Sequence, residues 1–172
     1  AEAEELYKVS LSIIKNVLGT EHPRYAYILG SLSAINSKLG RYIKAESLLM
    51  NSLEIIEKTL GTDHPDFAKT LQQVGLLYLE QGRYAEAESL IKRSVQILVN
   101  AFGPAHYAVD NALGNLGVLY SSQGRYEEAV KLYMRSLDNK AKTFGNDHPA
   151  LVNQIASLAN TFYNLGRYDD AE

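Results

Sequence analysis

The chain has 172 residues, a formal net charge of −3, and 46% hydrophobic against 22% charged residues, a balance typical of a folded globular protein. The acidic charge disfavours nucleic acid as a partner, because phosphate backbones are bound by surfaces rich in Lys and Arg. The sequence has no cysteines and no stretch near the ~20 apolar residues of a membrane span, so we expect a cytoplasmic protein that does not engage membranes.

Two short motifs each recur four times along the chain at one constant spacing. The first is a linker that reads GTEHP, GTDHP, GPAHY and GNDHP and begins at Gly19, Gly61, Gly103 and Gly145. The second is Gly-Arg-Tyr, which begins at Gly40, Gly82, Gly124 and Gly166. Two boundary motifs in each unit predict two secondary-structure elements in each unit.

The first predicted element is a helix over residues 1–18, which corresponds to the second half of a unit because its apolar residues align with those in the second half of the next unit. Three full units follow at residues 19–60, 61–102 and 103–144, and a truncated fourth unit covers residues 145–172. We predict a single array over the whole chain. Because it opens on an unpaired helix and shows no capping repeat, we interpret it as a fragment of a longer array.

The segment between the linker and Gly-Arg-Tyr predicts the first helix of each unit, helix A, since Leu71, Val74 and Tyr78 fall at helical spacing. The linker proline, as in Pro65, suits the first helical position, and the preceding His or Asp is expected to cap the helix. Tyr107 replaces this proline in the third unit. The glycine of Gly-Arg-Tyr is expected to end helix A with a positive φ.

The segment after Gly-Arg-Tyr predicts a second helix, helix B. Its apolar and small residues recur in steps of three and four, as in Ala45, Leu49, Ser52 and Ile56, and form one stripe. Small residues such as Gly117 on helix A and the alanine that opens this stripe on helix B let two backbones approach closely. These positions are therefore predicted to be where the helices of a hairpin cross.

The second and third units carry a recognisable signature. Its residues are Leu71, Val74, Gly75, Tyr78, Gly82, Tyr84 and Ala87, then Leu113, Leu116, Gly117, Tyr120, Gly124, Tyr126 and Ala129. This pattern resembles the tetratricopeptide repeat (TPR), and the 42-residue period is similar to the variant found in kinesin light chains. The resemblance implies an all-α fold, an α-α superhelix or right-handed solenoid of antiparallel helical hairpins. It also implies a concave groove, lined by the A helices, that holds a peptide or protein segment.

Projecting helix A away from its core stripe gives a mostly uncharged set of predicted groove residues. They are Tyr27, Lys38, Lys69, Gln72, Leu76, Leu79, Glu80, Asn111, Val118, Ser122, Asn153, Asn160, Tyr163 and Asn164. Asn and Gln amides can bond a peptide backbone, while Leu76, Leu79 and Val118 would supply apolar contacts. The alternative is an ordinary polar helix face whose few apolar residues are partly covered by neighbouring repeats.

The four histidines raise the alternative of a metal site. They are His22, His64, His106 and His148. We prefer a capping role, because packed helices would hold successive histidines roughly 16 to 20 Å apart, beyond the reach of one ion. The acidic pairs Glu127–Glu128 and Asp169–Asp170 open helix B and are expected to complement its dipole. No nucleophile–base arrangement and no phosphate loop occurs in the sequence, so we expect neither an enzyme nor a cofactor.

Two functions stay open. The first is a protein-interaction scaffold that binds a peptide or protein segment of unknown identity in the groove. The second is a self-assembly module, in which the incomplete hairpin at residues 151–165 accepts residues 1–18 of another copy and the copies stack head to tail.

Overall fold

The computed structural model describes residues 2–171 and consists of helices joined by short turns. In chain order the helices are α1 (Glu2–Leu18), α2 (Pro23–Lys38), α3 (Tyr42–Leu60), α4 (Pro65–Glu80), α5 (Tyr84–Phe102), α6 (Tyr107–Ser122), α7 (Tyr126–Phe144), α8 (Val152–Asn164) and α9 (Tyr168–Ala171). Residues 2–171 contain no strand, so the predicted all-α class is confirmed. The predicted A helices are α2, α4, α6 and α8, and the predicted B helices are α1, α3, α5, α7 and α9.

The A helices begin as predicted, and the structure selects histidine rather than aspartate as the cap. His64 Nδ1 accepts a hydrogen bond from the backbone N–H of Asp66 at 3.1 Å, and Pro65 occupies the first helical turn. The equivalent bond forms in every unit, with His22, His106 and His148 as acceptors. The fourth repeat differs in one respect, because a 3-10 turn at Pro149–Leu151 precedes α8.

The A helices also end as predicted. Gly82 has a φ of +74°, and its N–H donates to the Leu79 carbonyl at 3.0 Å. The N–H of Arg83 donates to the Tyr78 carbonyl at 2.8 Å, which completes a Schellman motif. A side chain at Gly82 would be strained even though no atom lies near its missing Cβ, because that backbone conformation disfavours L-residues.

The repeats divide between two compact units, which we call the first unit (Ala1–Leu90) and the second unit (Ile91–Glu172). In the first unit, α2 packs against α3 and α3 against α4, and α1 and α4 both contact α2. Two buried serines tie α2 to α3: Ser33 donates to the Ala45 carbonyl, and Ser52 donates to the Ala26 carbonyl, both at 2.9 Å. The predicted stripe of α3 is buried at Ala45, Leu49, Ser52 and Ile56.

In the second unit, α6 packs against α7, α7 against α8, and α6 contacts α8. A Cβ on Gly117 would lie only 2.6 Å from Cε1 of Tyr133, so the glycine lets this ring pack directly on the backbone of α6. Ala129 of α7 is fully buried in the same unit. These contacts confirm that Gly117 marks the hairpin crossing.

Within residues 2–171 no helix has the combination of length and apolarity that crossing a bilayer demands.

Candidate functional site

The predicted groove residues all keep surface on the A helices. Gln72, Leu76 and Leu79 are half-buried, and the others are exposed. Most of them line clefts between consecutive A helices, one pair of helices in each unit. The exceptions are Leu79 and Gln72 of α4 and Tyr163 of α8, which line none of the clefts described below.

The cleft between α2 and α4 has an apolar floor and charged rims. Lys38 and Leu76, two of the predicted groove residues, line it, and Leu49 and Leu77 are at its base. The Ser37 hydroxyl donates to the Glu80 carboxylate, which connects the two helices at one rim. The same cleft is thus apolar at its centre and carries one positive and one negative side chain.

A glycine controls how closely α2 and α4 approach along this cleft. A Cβ on Gly30 would lie 2.9 Å from Oε1 of Gln73, so the glycine makes room for the amide of the neighbouring A helix. Beyond Gln73, Lys69 and Tyr27 form a second, smaller depression. The Lys69 ammonium lies 5.1 Å from the Tyr27 ring centroid, within cation–π range. The two predicted groove residues are therefore partners of each other.

The clefts between α6 and α8 are lined mainly by amides and hydroxyls. Asn111, Val118 and Asn153 line the first of them, together with Asn115 and Ser157. The second, towards the end of α8, is lined by Val118 again and by Ser122, Asn160 and Asn164. Its base is fixed by a 3.0 Å hydrogen bond between the hydroxyls of Ser121 and Thr161.

Sequence reasoning missed a buried polar cluster beside the first α6/α8 cleft. Lys140 of α7 lines this cleft although only 6% of the residue is exposed, and its ammonium donates to Gln154 Oε1 at 2.8 Å. Behind it, Asp110 of α6 is fully buried and accepts a 2.9 Å hydrogen bond from Asn139. Burial raises the pKa of Asp110 and lowers the pKa of Lys140, and each charge opposes the shift of the other.

The sequence alone identified Gly-Arg-Tyr only as a boundary motif, whereas its arginine also makes contacts that join neighbouring helices. The guanidinium of Arg83 lies 3.5 Å from the Tyr78 ring centroid and pairs with Glu86 at 2.7 Å and with Glu46 of α3 at 3.1 Å. The two carboxylates, Glu86 foremost, raise the pKa of Arg83. Tyr78 donates to the same Glu46 at 2.8 Å, so α3, α4 and the turn that precedes α5 meet at this carboxylate.

The histidines serve the helix termini, as described above. Within residues 2–171, no three His, Asp or Glu side chains come together in a way that could hold a metal ion. The acidic pairs at the start of helix B also have local partners. Glu128 pairs with Arg125 at 2.6 Å, and Asp170 pairs with Arg167 at 2.8 Å.

Comparisons with known proteins give a consistent family. A sequence model described as tetratricopeptide repeat matches residues 31–98, 66–142 and 108–172, and a second model of that repeat matches residues 1–24. Comparison with curated protein sequences gives no match. The matches to the repeat models nevertheless cover well over half of the chain.

Solved structures resemble the chain over almost its whole length. The TPR-like repeats of a Podosopora anserina protein described as a kinesin light chain are 26% identical, with a TM-score of 0.75 over 99% of this chain and 80% of that one. BtubC (BKLC) from P. vanneervenii is 21% identical, with a TM-score of 0.79 over 99% of this chain and 68% of its own. The apo form of RapI is 15% identical, with a TM-score of 0.71 over 98% of this chain and 45% of that one. The last two likenesses concern the fold alone.

Proposed function

The chain belongs to the tetratricopeptide repeat family, with repeats of the kinesin-light-chain-like type, and from that premise we propose that the clefts between its A helices hold a segment of another protein. The observation that carries the proposal is the set of exposed amides along the α6/α8 clefts. Asn111, Asn153 and Asn160 are all exposed there. A side-chain amide both donates and accepts hydrogen bonds. It can therefore replace the water molecules bound to a peptide backbone, whatever side chains that peptide carries.

The α2/α4 cleft adds selectivity to this backbone recognition. Leu76 is half-buried beside the apolar floor, where an apolar side chain of the partner would be removed from water. Lys38 and Glu80 flank that point with opposite charges, so a partner segment with complementary charges on both sides of an apolar residue would fit best. The expected partner is therefore a mixed, largely uncharged peptide segment and not a polyanion.

Peptide display on the immobilised chain, followed by titration calorimetry of a selected peptide, tests this function. Leu76→Glu places a charge at the apolar point and should weaken binding of a peptide that uses this cleft by about 2 kcal/mol or more. Ile43→Glu is the matched control, because Ile43 is 89% exposed on α3 and lines none of these clefts. Equal loss in both variants, or no selected peptide that responds to cleft substitutions, would contradict the proposal.

Exposed apolar surface favours a second candidate function, self-association. One face of α1 exposes Leu6, Val9, Ile13 and Val17, each between 56% and 73%. In the second unit, an apolar cleft between α7 and α8 is lined by Leu137, Ala141, Leu151, Ile155 and Leu158. A second copy could cover both surfaces by head-to-tail contact.

Light scattering across protein concentration separates this function from cleft binding. Self-association predicts a molar mass that rises with concentration and falls back to that of the monomer in Ile13→Glu. Leu76→Glu should leave the mass unchanged. A constant monomeric mass at high concentration would rule out head-to-tail assembly while leaving the peptide-binding proposal intact.

A further inference from the structure

The turn between α2 and α3 differs in charge from the equivalent turns of the other repeats. Residues 39–44 read LGRYIK, whereas residues 81–86 read QGRYAE, residues 123–128 read QGRYEE and residues 165–170 read LGRYDD. The first of these turns has two basic side chains and no acid, while each of the others has one arginine and at least one acid. Among the four turns, a net positive charge therefore occurs in the first alone. We call residues 39–44 the basic turn.

The charge reversal falls at the position that neutralises the arginine elsewhere. Arg83 pairs at 2.7 Å with Glu86, three residues further along the chain. In the basic turn the residue three positions after the arginine is Lys44. Arg41 and Lys44 instead share one carboxylate of α1, that of Glu4, at 3.1 and 3.3 Å. A single carboxylate cannot balance two cations, so the basic turn keeps a surplus positive charge.

The same turn exposes apolar surface. Ile43 is 89% exposed and Leu39 is 52% exposed. The second and third repeats have Ala85 and Glu127 in place of Ile43, and both have glutamine in place of Leu39. Met50, two helical turns after Ile43 on the same face of α3, is also exposed. A single exposed apolar residue is ordinary, but here several lie beside an unbalanced positive charge.

The fold of the turn does not require these side chains. Gly40 and Gly82 have φ values of +71° and +74°, and the residue after each glycine donates a 2.8 Å hydrogen bond to the last turn of its A helix. The first two repeats thus make the same backbone turn with different side chains. Because Ile43 is almost fully exposed, it also contributes little to packing. A function outside the fold explains these residues better than stability does.

The surroundings of the basic turn favour a narrow protein partner over a membrane. The basic side chains attract carboxylates, and Leu39 and Ile43 offer apolar contacts. An anionic membrane would supply both kinds of contact, but it would also extend along α3. There, on the same face as Ile43, Glu54 and Glu57 are exposed and would repel anionic headgroups. A short protein segment covers the turn without meeting these acids.

We propose that the basic turn, with the exposed face of α3 beside it, binds an acidic segment of another protein. That segment places an apolar side chain against Ile43 and carboxylates near Arg41 and Lys44. Ile43 and Lys44 line none of the clefts between A helices described above. The inference therefore goes beyond the proposed function and gives the chain a second docking surface outside its clefts.

Selection from a displayed library of short peptides tests the inference, with the intact chain as target and a swap variant as counter-target. The swap variant combines Leu39→Gln, Ile43→Ala and Lys44→Glu, which gives the basic turn the residues of 81–86, so it should fold as that turn does. Peptides that bind the parent and not the swap variant should be rich in Asp, Glu and large apolar residues. Finding no such peptide, or finding swap-sensitive peptides rich in Lys and Arg, overturns the inference.

An NMR titration with a swap-sensitive peptide, synthesised with blocked termini, locates the contact. The Leu39 and Ile43 methyl signals should shift saturably, and replacing the acids of the peptide by Asn and Gln should weaken binding about tenfold or more. Lys44→Glu in the chain should have a similar effect. Equal affinity for the amide peptide, or no shift at either methyl group, overturns the inference.

Two variants serve as controls for this titration. Lys131→Glu makes the same charge change at an exposed site of α7, and Leu76→Glu alters the α2/α4 cleft. Both should leave the affinity of the swap-sensitive peptide unchanged. A loss with Lys131→Glu equal to that with Lys44→Glu would mean that only net charge matters, and it would overturn the inference.

Two further outcomes separate this inference from its rivals. Sedimentation with phosphatidylserine vesicles should show no binding; vesicle binding that the swap variant loses, without any swap-sensitive peptide, would assign the turn to membranes and overturn the inference. Peptides that bind the parent and the swap variant equally are the pool that tests the A-helix clefts. Failure of that pool refutes cleft binding alone, and failure of the swap-sensitive pool refutes the basic-turn inference alone.

Discussion

The contact between Gly117 of α6 and Tyr133 of α7 makes a sharp prediction about how the hairpins are built. In the first repeat the equivalent pair is Ser33 and Leu49, so a larger residue on helix A faces a smaller one on helix B. The third repeat has the reverse arrangement, and the Tyr133 ring fills the space that a Cβ on residue 117 would need. Gly117→Ala should therefore be unfavourable beside Tyr133 and favourable beside leucine.

The magnitudes follow from two opposing effects. Replacing a mid-helix glycine by alanine gains about 1 kcal/mol in helix propensity. The new Cβ would lie 2.6, 2.9 and 3.0 Å from three ring carbons of a tyrosine that is buried, so the ring or the helix must move. Overpacking of this kind costs about 1 to 3 kcal/mol. The net effect in the parent should be a destabilisation of about 1 kcal/mol, which lowers Tm by about 2 to 4 °C in a chain of this size.

The double variant isolates the contact. Tyr133→Leu alone should destabilise by about 2 kcal/mol through lost burial, and in that background Gly117→Ala should raise stability by about 1 kcal/mol. The measurement is urea unfolding of the four proteins followed by far-UV circular dichroism, with the coupling taken from the double-mutant cycle. A Gly117→Ala substitution that stabilises equally beside Tyr133 and beside leucine would refute the proposed crossing geometry.

Substitutions at three other positions test the helix cap, the helix end and the arginine contacts. His64→Ala removes the cap of α4 and should cost about 1 kcal/mol in urea unfolding, whereas His64→Asp should keep most of it; equal losses would mean that the cap contributes little. Gly82→Val should cost about 1 to 2 kcal/mol because of its positive φ, and Gly82→Asn clearly less; a harmless valine would contradict the strain argument. Arg83 lowers the pKa of Glu86 below its ordinary 4.5, so this stabilisation is present above that pH and is lost as the pH falls through the folded pKa. The Tm difference between the parent and Arg83→Met should therefore shrink from about pH 7 to about pH 3, and an unchanged difference would leave only the stacking on Tyr78.

Short local motifs in the sequence mark where the helices of this fold begin and end. A histidine before a proline, or before Tyr107 in the third repeat, and a glycine before an arginine act on the backbone within a few residues. The limits of α2, α4 and α6 could therefore be predicted without tertiary information. The start of α8 was less accessible, because the same His-Pro motif is followed there by a 3-10 turn at Pro149–Leu151. Local motifs thus fix where a helix begins more reliably than which helix type its first turn adopts.

The contacts that depend on distant residues were harder to predict. The partners of Arg83 lie on α3, α4 and α5, and no spacing rule in one repeat brings Glu46 to it. The cluster around Lys140 did leave a signal, which only a comparison of equivalent positions shows: an ammonium where the preceding repeats have leucine or isoleucine. A comparison of repeats therefore reveals a polar residue at a recurrent core position, whereas amphipathic patterning within one helix overlooks it.

The groove residues illustrate the same limit. Helical projection identified side chains on the exposed face of each A helix, because the core stripe determines which face remains outside. It could not determine which of them line a cleft, since that depends on how closely neighbouring A helices approach. Gly30 and Gly114 set this approach by admitting the amides of Gln73 and Gln154. The amide that fills each gap is thus as important to the cleft as the residues at its rim.

The central claim is that the A-helix clefts receive a segment of another protein. An NMR chemical-shift map of the chain with a display-selected peptide tests it most directly. The account predicts saturable changes concentrated on cleft residues such as Leu76, Asn111 and Asn153, with little change at Ile43 of α3. Changes concentrated on the exposed faces of the B helices, with the cleft residues unaffected, would contradict it.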